Sequence, residues 1–170
     1  MLAAIKKLEA EPIDFTQMQA LVPTQLEMAL VEDWKGDISK ITKPVALMWS
    51  VFIGGQPTPT RHWTLLWKNE HGINFFDPLG YSWMQLFRKT HEVHASLYKQ
   101  FKSHKVKSSL HRLQKNSPHI NDCGYHVAIR SLFLHMTANQ YAKFIKNSGM
   151  SPDATVAFLC YVNHKFPRSS

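Results

Sequence analysis

Cys123 is the residue whose type and position most directly suggest chemistry. It follows Asp122 and precedes a stretch, residues 125–136, whose apolar side chains recur at helical spacing and predict a helix over 124–137. With Asp122 or Asn121 as the N-cap, Cys123 lies in the first turn of that helix. Free backbone N–H groups and the helix dipole there favour an anion, and the thiolate is the nucleophilic form of cysteine. The alternative is a small, inert cysteine buried at a helix start, so partner residues decide between the two interpretations.

His62 is the first candidate partner. It lies in a β-rich run, residues 61–67, and the next apolar run, residues 72–77, ends at Asp77. The intervening residues 68–71 predict a hairpin loop. If the two strands pair antiparallel about this loop, residues whose numbers sum to about 139 face each other, which sets His62 opposite Asp77. A carboxylate at that position orients the imidazole and leaves its other ring nitrogen for a thiol.

These motifs together resemble those of a known family. His62-Trp63 opens one strand, Phe76-Asp77-Pro78-Leu79-Gly80 closes the next, Gln114 follows, and Asp122-Cys123-Gly124 begins a helix. In this order they resemble the adenovirus-type maturation cysteine proteases of double-stranded DNA viruses, virophages and related elements, which are related to the SUMO-specific proteases. The motifs span residues 62–126, and the chain length and later helices also suit the family.

The resemblance implies a role for each of four residues. Cys123 is the nucleophile, His62 the general base and later acid, and Asp77 the orienting carboxylate. Gln114 forms an oxyanion hole with the backbone N–H of Cys123, a kind of contact worth roughly 2.7–4 kcal/mol in acyl transfer. Gln114 lies nine residues before Cys123, a longer gap than the family usually has. The alternative side-chain donors are Asn116 and Asn121.

Trp63 has two interpretations that are compatible with each other. In the resembled family, the Trp after the catalytic His borders the cleft and restricts the residues beside the scissile bond to small ones. This implies substrate binding by Trp63 and a preference for glycine just before the cut. The other interpretation is core packing, since Trp63, Leu65 and Trp67 share one strand face.

A zinc site is a competing interpretation of the same segment, because His119, Cys123 and His126 are spaced by four and three residues. Structural zinc requires four ligands and typically two paired motifs. With two cysteines in the chain and no second ligand pair in register, we predict no metal site. His126 is then expected to pack on, or lie exposed along, its helix.

Length and composition predict one domain over residues 1–170, with an N-terminal helical region at 1–43 and a catalytic core at 44–170. The chain has 170 residues, of which 44% are hydrophobic, enough for one well-packed core. It contains no apolar run of about 18 residues and no signal-peptide core at its N-terminus, so we expect neither membrane insertion nor secretion. Its two cysteines lie in different contexts and predict no disulfide, and Cys160 is expected to be a buried helix residue.

Basic residues are concentrated in one part of the sequence. The net charge is +8, yet residues 1–44 carry −2, so the remainder carries +10. The candidate DNA-binding residues are Arg88, Lys89, Lys99, Lys102, Lys105 and Lys107. Such a patch binds a polyanion through counterion release, without sequence preference where no base-reading motif is present. The alternative is an ordinary solvated helix face, while the resemblance implies DNA as a cofactor.

The predicted elements give an α+β fold with a mixed central β-sheet flanked by helices, as the resemblance also implies. The predicted strands are 45–53, the two strands of the hairpin at 62–77, and 106–113. The predicted helices are 81–103, 124–137, 138–148 and 152–164. Two short amphipathic pieces, 12–21 and 24–34, precede them.

The expected function is a cysteine endopeptidase that cleaves viral capsid or core precursor proteins during virion maturation. We expect a monomer located in the virion and at the assembly site in the host cytoplasm or nucleus. One alternative is a peptidase of ubiquitin-like modifiers, and another is a DNA-binding virion protein with an inert triad. No cofactor is required by the sequence itself, whereas the resemblance leaves DNA or an activating peptide open. Cys160 is the remaining cysteine for a disulfide link to such a peptide, and because we expect it to be buried, we expect no disulfide-linked activator.

Overall fold

The computed structural model describes residues 2–22, 26–53, 56–90, 95–117 and 121–165. Its strands form one mixed sheet in the order β1-β2-β3-β4-β5. They are β1 (Glu27–Leu30), β2 (Val45–Ile53), β3 (Gln56–Asn69), β4 (Gly72–Phe76) and β5 (Lys107–Ser109). The two outer pairs, β1–β2 and β4–β5, are parallel, and the two inner pairs are antiparallel.

Seven α-helices lie within the described residues, together with a short 3₁₀ helix at Ile38–Lys40. They are α1 (Leu2–Ala10), α2 (Phe15–Leu21), α3 (Trp83–Thr90), α4 (Ala95–Ser103), α5 (Cys123–Leu132), α6 (Ala138–Lys146) and α7 (Pro152–Lys165). The mixed sheet with these helices confirms the predicted α+β class. None of the described helices is both long and apolar enough to cross a membrane.

The sheet separates two hydrophobic cores, because successive side chains of a strand point to opposite faces. On one face, Met48, Trp63 and Leu65 pack with Val127 of α5 and Ile145 of α6. On the other face, Leu47, Leu66 and Phe75 pack with Phe87 of α3 and Phe101 of α4. Residues 45–50 of β2 are buried without alternation, as expected for a strand covered on both faces.

The N-terminal region differs from the predicted helical segment at 1–43. Residues 27–30 form a strand that pairs parallel with β2, from Glu27 beside Val45 to Leu30 beside Met48. Pairing with an apolar neighbouring strand overrides the weak amphipathic pattern of these residues. Helix α2 begins as a capping box predicts: the Asp14 side chain accepts from the Gln17 N–H, and the Gln17 side chain accepts from the Asp14 N–H.

The hairpin register also differs from the prediction. Asn69 pairs with Gly72 and Leu65 with Phe76, so facing residues sum to 141 rather than 139. The turn is shorter than predicted because the Asn69 side chain accepts from the His71 N–H, 2.9 Å away, and closes it. A change of two in the sum moves each partner by two residues and keeps it on the same face. His62 and Asp77 therefore remain neighbours, on a diagonal.

Two further boundaries were predicted wrongly, and a third prediction falls partly on residues outside the described ranges. The strand expected at 106–113 covers only 107–109, because β4 ends before Pro78 and offers no further partner. The helix expected at 124–137 ends at Leu132, where the Arg130 guanidinium donates to the carbonyls of Phe133 and Met136 and holds a turn. The single helix expected at 81–103 is described as α3 and α4, and residues 91–94 lie outside the described residues.

Candidate active site

Cys123 is the first residue of α5 and lies in the first turn, as predicted. It is 7% exposed, and residues 123–131 of this helix are all buried. Asp122 is the N-cap residue, but its side chain makes no capping hydrogen bond. The backbone N–H groups and dipole of the helix therefore act at the position of the sulfur, where they favour negative charge.

His62 and Asp77 form a buried pair. His62 Nε2 lies 3.0 Å from Asp77 Oδ1, and the residues are 7% and 0% exposed. Burial alone lowers the pKa of His62, but the charge and hydrogen bond of Asp77, with a hydrogen bond to the Cys123 thiol, outweigh it and raise the pKa to about 10. His62 is therefore an imidazolium at neutral pH, positioned between the carboxylate and the sulfur.

Asp77 is fixed by the turn that follows β4. Its Oδ1 also accepts from the Leu79 N–H at 2.7 Å, and its carbonyl accepts from the Gly80 N–H at 2.9 Å. Gly80 has a φ of 77°, and a Cβ there would lie 2.8 Å from the Arg112 nitrogen. Glycine at position 80 therefore permits the turn, and it also lets the backbone of Arg112, just before Gln114, pack closely against that turn.

Gln114 is brought to the same cleft by this turn. The N–H groups of Leu113 and Gln114 both donate to the Pro78 carbonyl at 2.9 Å. Gln114 is 6% exposed, its Oε1 has no hydrogen-bond partner, and the residue lines the cleft with Cys123 and His62. Residues 118–120, within the long gap before Cys123, lie outside the described residues.

The two alternative amide donors, Asn116 and Asn121, also line the cleft, but they differ in exposure and in hydrogen bonding. Asn116 is exposed, whereas the Asn121 side chain donates to the Ala10 carbonyl at 3.3 Å and its backbone N–H to the Glu9 carbonyl at 2.9 Å. An amide already used to hold the N-terminal segment is a poor oxyanion donor. Of Gln114, Asn116 and Asn121, Gln114 is therefore the residue that is buried and does not use its side-chain amide to hold the N-terminal segment.

Trp63 belongs both to the core and to the cleft wall, so the two interpretations of this residue hold together. It is 2% exposed and packs in the core under α5, while lining the cleft beside His62. Its indole N–H donates to the Ile13 carbonyl at 3.0 Å, and its ring meets the Phe15 ring edge-on at a centroid distance of 5.2 Å.

The cleft has a volume of about 780 Å³. Besides the residues already named, it is lined by Pro12, Asp14, Met48, Val51, Leu79, Arg61 and Lys115, among others. Sequence reasoning missed that the N-terminal segment forms one of its walls. The Ile13 and Phe15 contacts with Trp63 are long-range, and nothing in their local sequence signals them.

A second buried cluster, which sequence reasoning also missed, lies near Cys123 but does not line the cleft. His126 is fully buried, with Nε2 3.0 Å from Asp153 Oδ1 and 3.8 Å from Asp122 Oδ2. Burial lowers the pKa of His126 despite the hydrogen bond and charge of Asp153. The spacing of Asp122 and His126 on one helix was visible in the sequence, whereas Asp153 joins them from α7.

This cluster differs from the zinc ligand set that the sequence spacing suggests. Within the described residues, Asp122, His126 and Asp153 are the group close enough to hold a metal ion, with donor atoms within 4.8 Å of one another. His119, a member of the set suggested by the spacing, lies outside the described residues. His126 Nε2 already meets Asp153 at hydrogen-bond length, so the geometry is that of a hydrogen-bonded pair.

The remaining predicted residues lie away from this cleft. Cys160 is 1% exposed on α7, as expected, and its thiol donates to the Tyr125 carbonyl at 3.9 Å. The candidate DNA-binding residues are all exposed: Arg88 and Lys89 on α3, Lys99 and Lys102 on α4, Lys105 in the turn after α4, and Lys107 at the start of β5. These helices cover the sheet face opposite α5.

Comparisons with protein-family models, with curated proteins and with solved structures find no match to this chain.

Proposed function

We propose that the protein is a cysteine endopeptidase. The observation that carries the proposal is one hydrogen-bonded series: Asp77 to His62 at 3.0 Å, and His62 to the Cys123 thiol, at the N-terminus of a helix. All three side chains are at least nine-tenths buried. A nucleophile, a base and a group that orients the base are the parts that nucleophilic acyl transfer requires.

In the first half of the reaction, the Cys123 thiolate attacks the carbonyl carbon of a peptide bond. The carbonyl oxygen becomes an oxyanion, which accepts hydrogen bonds from the Cys123 backbone N–H and the Gln114 side-chain amide. The His62 imidazolium then donates its proton to the amide nitrogen as the C–N bond breaks. The amine product leaves, and a thioester to Cys123 remains.

In the second half, neutral His62 takes a proton from a water molecule that attacks the thioester. The C–S bond breaks, the acid product leaves, and the thiolate–imidazolium pair is restored. Asp77 keeps its charge throughout and holds the ring orientation, so the same nitrogen faces the sulfur in both halves.

The proposed substrates are capsid or core precursor proteins of a virus or related element, cut during assembly. This part of the proposal is supported by the family resemblance, together with a cleft wall made of Trp63, Ile13 and Phe15. Bulky apolar walls beside the nucleophile favour small residues, and we propose glycine before the scissile bond. The second candidate, a peptidase of ubiquitin-like modifiers, has the same chemistry and the same preference for glycine.

The reactivity of Cys123 tests the chemistry without a known substrate. We expect iodoacetamide to alkylate Cys123 rapidly at pH 6 in the wild type and at least about tenfold more slowly in His62→Ala, because the imidazolium that favours the thiolate is lost. Mass spectrometry separates the two cysteines. Cys160 is the internal control, since burial raises its pKa and it should stay unmodified until the protein is unfolded.

Equal alkylation rates in wild type and His62→Ala would contradict the proposed pair of His62 and Cys123.

A second experiment measures cleavage of a peptide library with glycine before the scissile bond, with Cys123→Ala as the inactive control. A modifier carrying a C-terminal Gly-Gly electrophile distinguishes the second candidate, because only a modifier peptidase should be labelled efficiently. Cleavage retained by Cys123→Ala would overturn the assignment.

A further inference from the structure

Asp153 joins two parts of the site that the sequence places far apart. It lies in the first turn of α7 and is 3% exposed. Both of its carboxylate oxygens accept from the Lys115 backbone N–H, at 3.2 Å each, and Oδ1 also meets His126 Nε2 at 3.0 Å. One carboxylate therefore contacts the residue after Gln114 and a residue one helical turn after Cys123.

The segment carrying Gln114 is held from both sides. The Pro78 carbonyl accepts from the N–H groups of Leu113 and Gln114, and Asp153 accepts from the next N–H, that of Lys115. Pro78 directly follows Asp77, so one side of this support belongs to the His62–Asp77 pair. The other side, Asp153, is tied to α5 through His126.

His126 makes the link to the nucleophile helix rigid. A carboxylate only accepts hydrogen bonds, so Nε2 of His126 carries the proton that it donates to Asp153. The His126 side chain is fully buried on α5, and its backbone N–H donates to the Asp122 carbonyl in the first helical turn. A shift of α7 against α5 would break the buried hydrogen bond between Asp153 and His126, which is costly.

We propose that Asp153 is a positioning residue for the oxyanion donor. It sets the distance between Gln114 and Cys123 by holding the Lys115 N–H and His126 with the same carboxylate, and it touches no reacting atom. This inference rests on the proposed peptidase function. It also explains how a gap of nine residues between Gln114 and Cys123 is compatible with a fixed oxyanion hole.

The test is a double-mutant cycle between Asp153→Asn and Gln114→Ala. Asparagine keeps the size of the side chain but removes its charge and replaces one acceptor oxygen by an NH₂ donor. If its oxygen keeps the Oδ1 position and accepts from His126, the NH₂ group takes the Oδ2 position and faces the Lys115 N–H, donor against donor. We expect Asp153→Asn to lower kcat at least about tenfold with less than a twofold change in KM, because the donor acts on the transition state. In the Gln114→Ala background the same change should lower kcat less than about twofold.

Equal effects of Asp153→Asn in both backgrounds would overturn the proposal, since Asp153 would then act independently of Gln114. Alkylation of Cys123 should stay within about twofold of wild type, because His62 and Asp77 do not contact Asp153. Asp37→Asn is the matched control: this exposed aspartate also accepts from a backbone N–H, that of Ser39, and lies away from the cleft.

Hydrogen exchange provides a readout that needs no turnover. We expect the Lys115 amide to exchange at least about tenfold faster in Asp153→Asn than in wild type, while the amides of α6 keep their protection. Unchanged exchange at Lys115 would overturn the proposal even if activity fell.

Absence of any cleavage by wild type would count against the peptidase function alone. If Asp153→Asn does not fold, Asp153→Ser replaces it in both measurements, because the shorter serine side chain does not reach the Lys115 N–H.

Discussion

Asp122, beside the nucleophile, is a carboxyl group in unusual surroundings. It is fully buried, and neither of its oxygens has a hydrogen-bond partner. Burial, followed by the negative charge of Asp153, raises the pKa of Asp122 to about 9. At neutral pH, Asp122 is therefore a protonated acid.

This protonation makes the stability of the fold depend on pH. Between about pH 4 and 9 the folded protein retains the Asp122 proton while the unfolded chain has lost it, so the free energy of unfolding falls as pH rises. Asp122→Asn removes that slope. We expect its Tm to exceed that of wild type at pH 8 by at least about 2–4 °C, which corresponds to roughly 1 kcal/mol, and the difference to shrink towards pH 4.

Thermal unfolding at pH 4.5 and pH 8 checks this expectation. Asp37→Asn is the control, because hydrogen bonds from Ser39 lower the pKa of Asp37 and its replacement should give no gain at pH 8. A Tm difference between Asp122→Asn and wild type that is the same at both pH values would contradict a buried, protonated Asp122.

At the scale of elements, residues 9–15, which run from the end of α1 to the start of α2, pack against the start of α5. The Glu9 and Ile13 carbonyls accept from Asn121 and Trp63, respectively. A Cβ at Gly124 would overlap Ile13 Cγ1, lie 2.7 Å from its Cδ1, and lie 3.1 Å from Trp63 Cδ1. The absence of a side chain at Gly124 therefore lets residues 9–15 lie directly against the start of α5.

Gly124→Ala should break this fit. We expect a loss of about 1–3 kcal/mol in the free energy of unfolding from overpacking, measured by urea denaturation. Ile13→Ala, which leaves a cavity, should cost about 2–5 kcal/mol alone. In the double variant the methyl group added by Gly124→Ala occupies space vacated by Ile13, so the combined loss should be smaller than the sum. Additive losses would show that the two residues do not share this contact.

The sequence predicted those elements that carry a strong local signal. The apolar run of β2, the start of α5 at Cys123 and the Pro at the start of α7 match the structure. It failed where long-range pairing decides the outcome: residues 27–30 become a strand only because β2 lies beside them. His62, Asp77 and Cys123 were proposed from motif order, and the structure brings them together. The wrong hairpin register did not separate His62 from Asp77, because an error of two residues keeps each side chain on the same sheet face. Asp153 and Ile13 had no local signal.

At the scale of the whole molecule, the sheet separates the side that carries the candidate active site from a basic side. Helices α5, α6 and α7 lie on the face that carries Cys123, whereas α3 and α4, with their exposed lysines and arginine, lie on the other. A polyanion bound at α3 and α4 would therefore leave the cleft free for the proposed substrate.

We expect double-stranded DNA to bind this basic face without sequence preference. Lys99→Glu with Lys102→Glu, both on α4, should weaken binding and make the salt dependence less steep, because fewer counterions are released. Fluorescence anisotropy of a labelled duplex at about 50 and 200 mM salt measures both effects. Lys143→Glu with Lys146→Glu, on α6 at the opposite face, is a control of equal charge change. Equal loss of affinity in the two double variants would indicate general attraction rather than a site on α3 and α4.

The site also has a consequence for how the protein is made. Residues 9–15 close over α5 from one end of the described chain, and Asp153 holds residues 115 and 126 from near the other. Translation delivers the N-terminal segments first. A chain still on the ribosome has thus exposed Cys123 and His62 before α7 emerges to complete the site. Under the proposed function, the newly made protein would gain peptidase activity only after residue 153 has docked, which would separate synthesis from proteolysis in time.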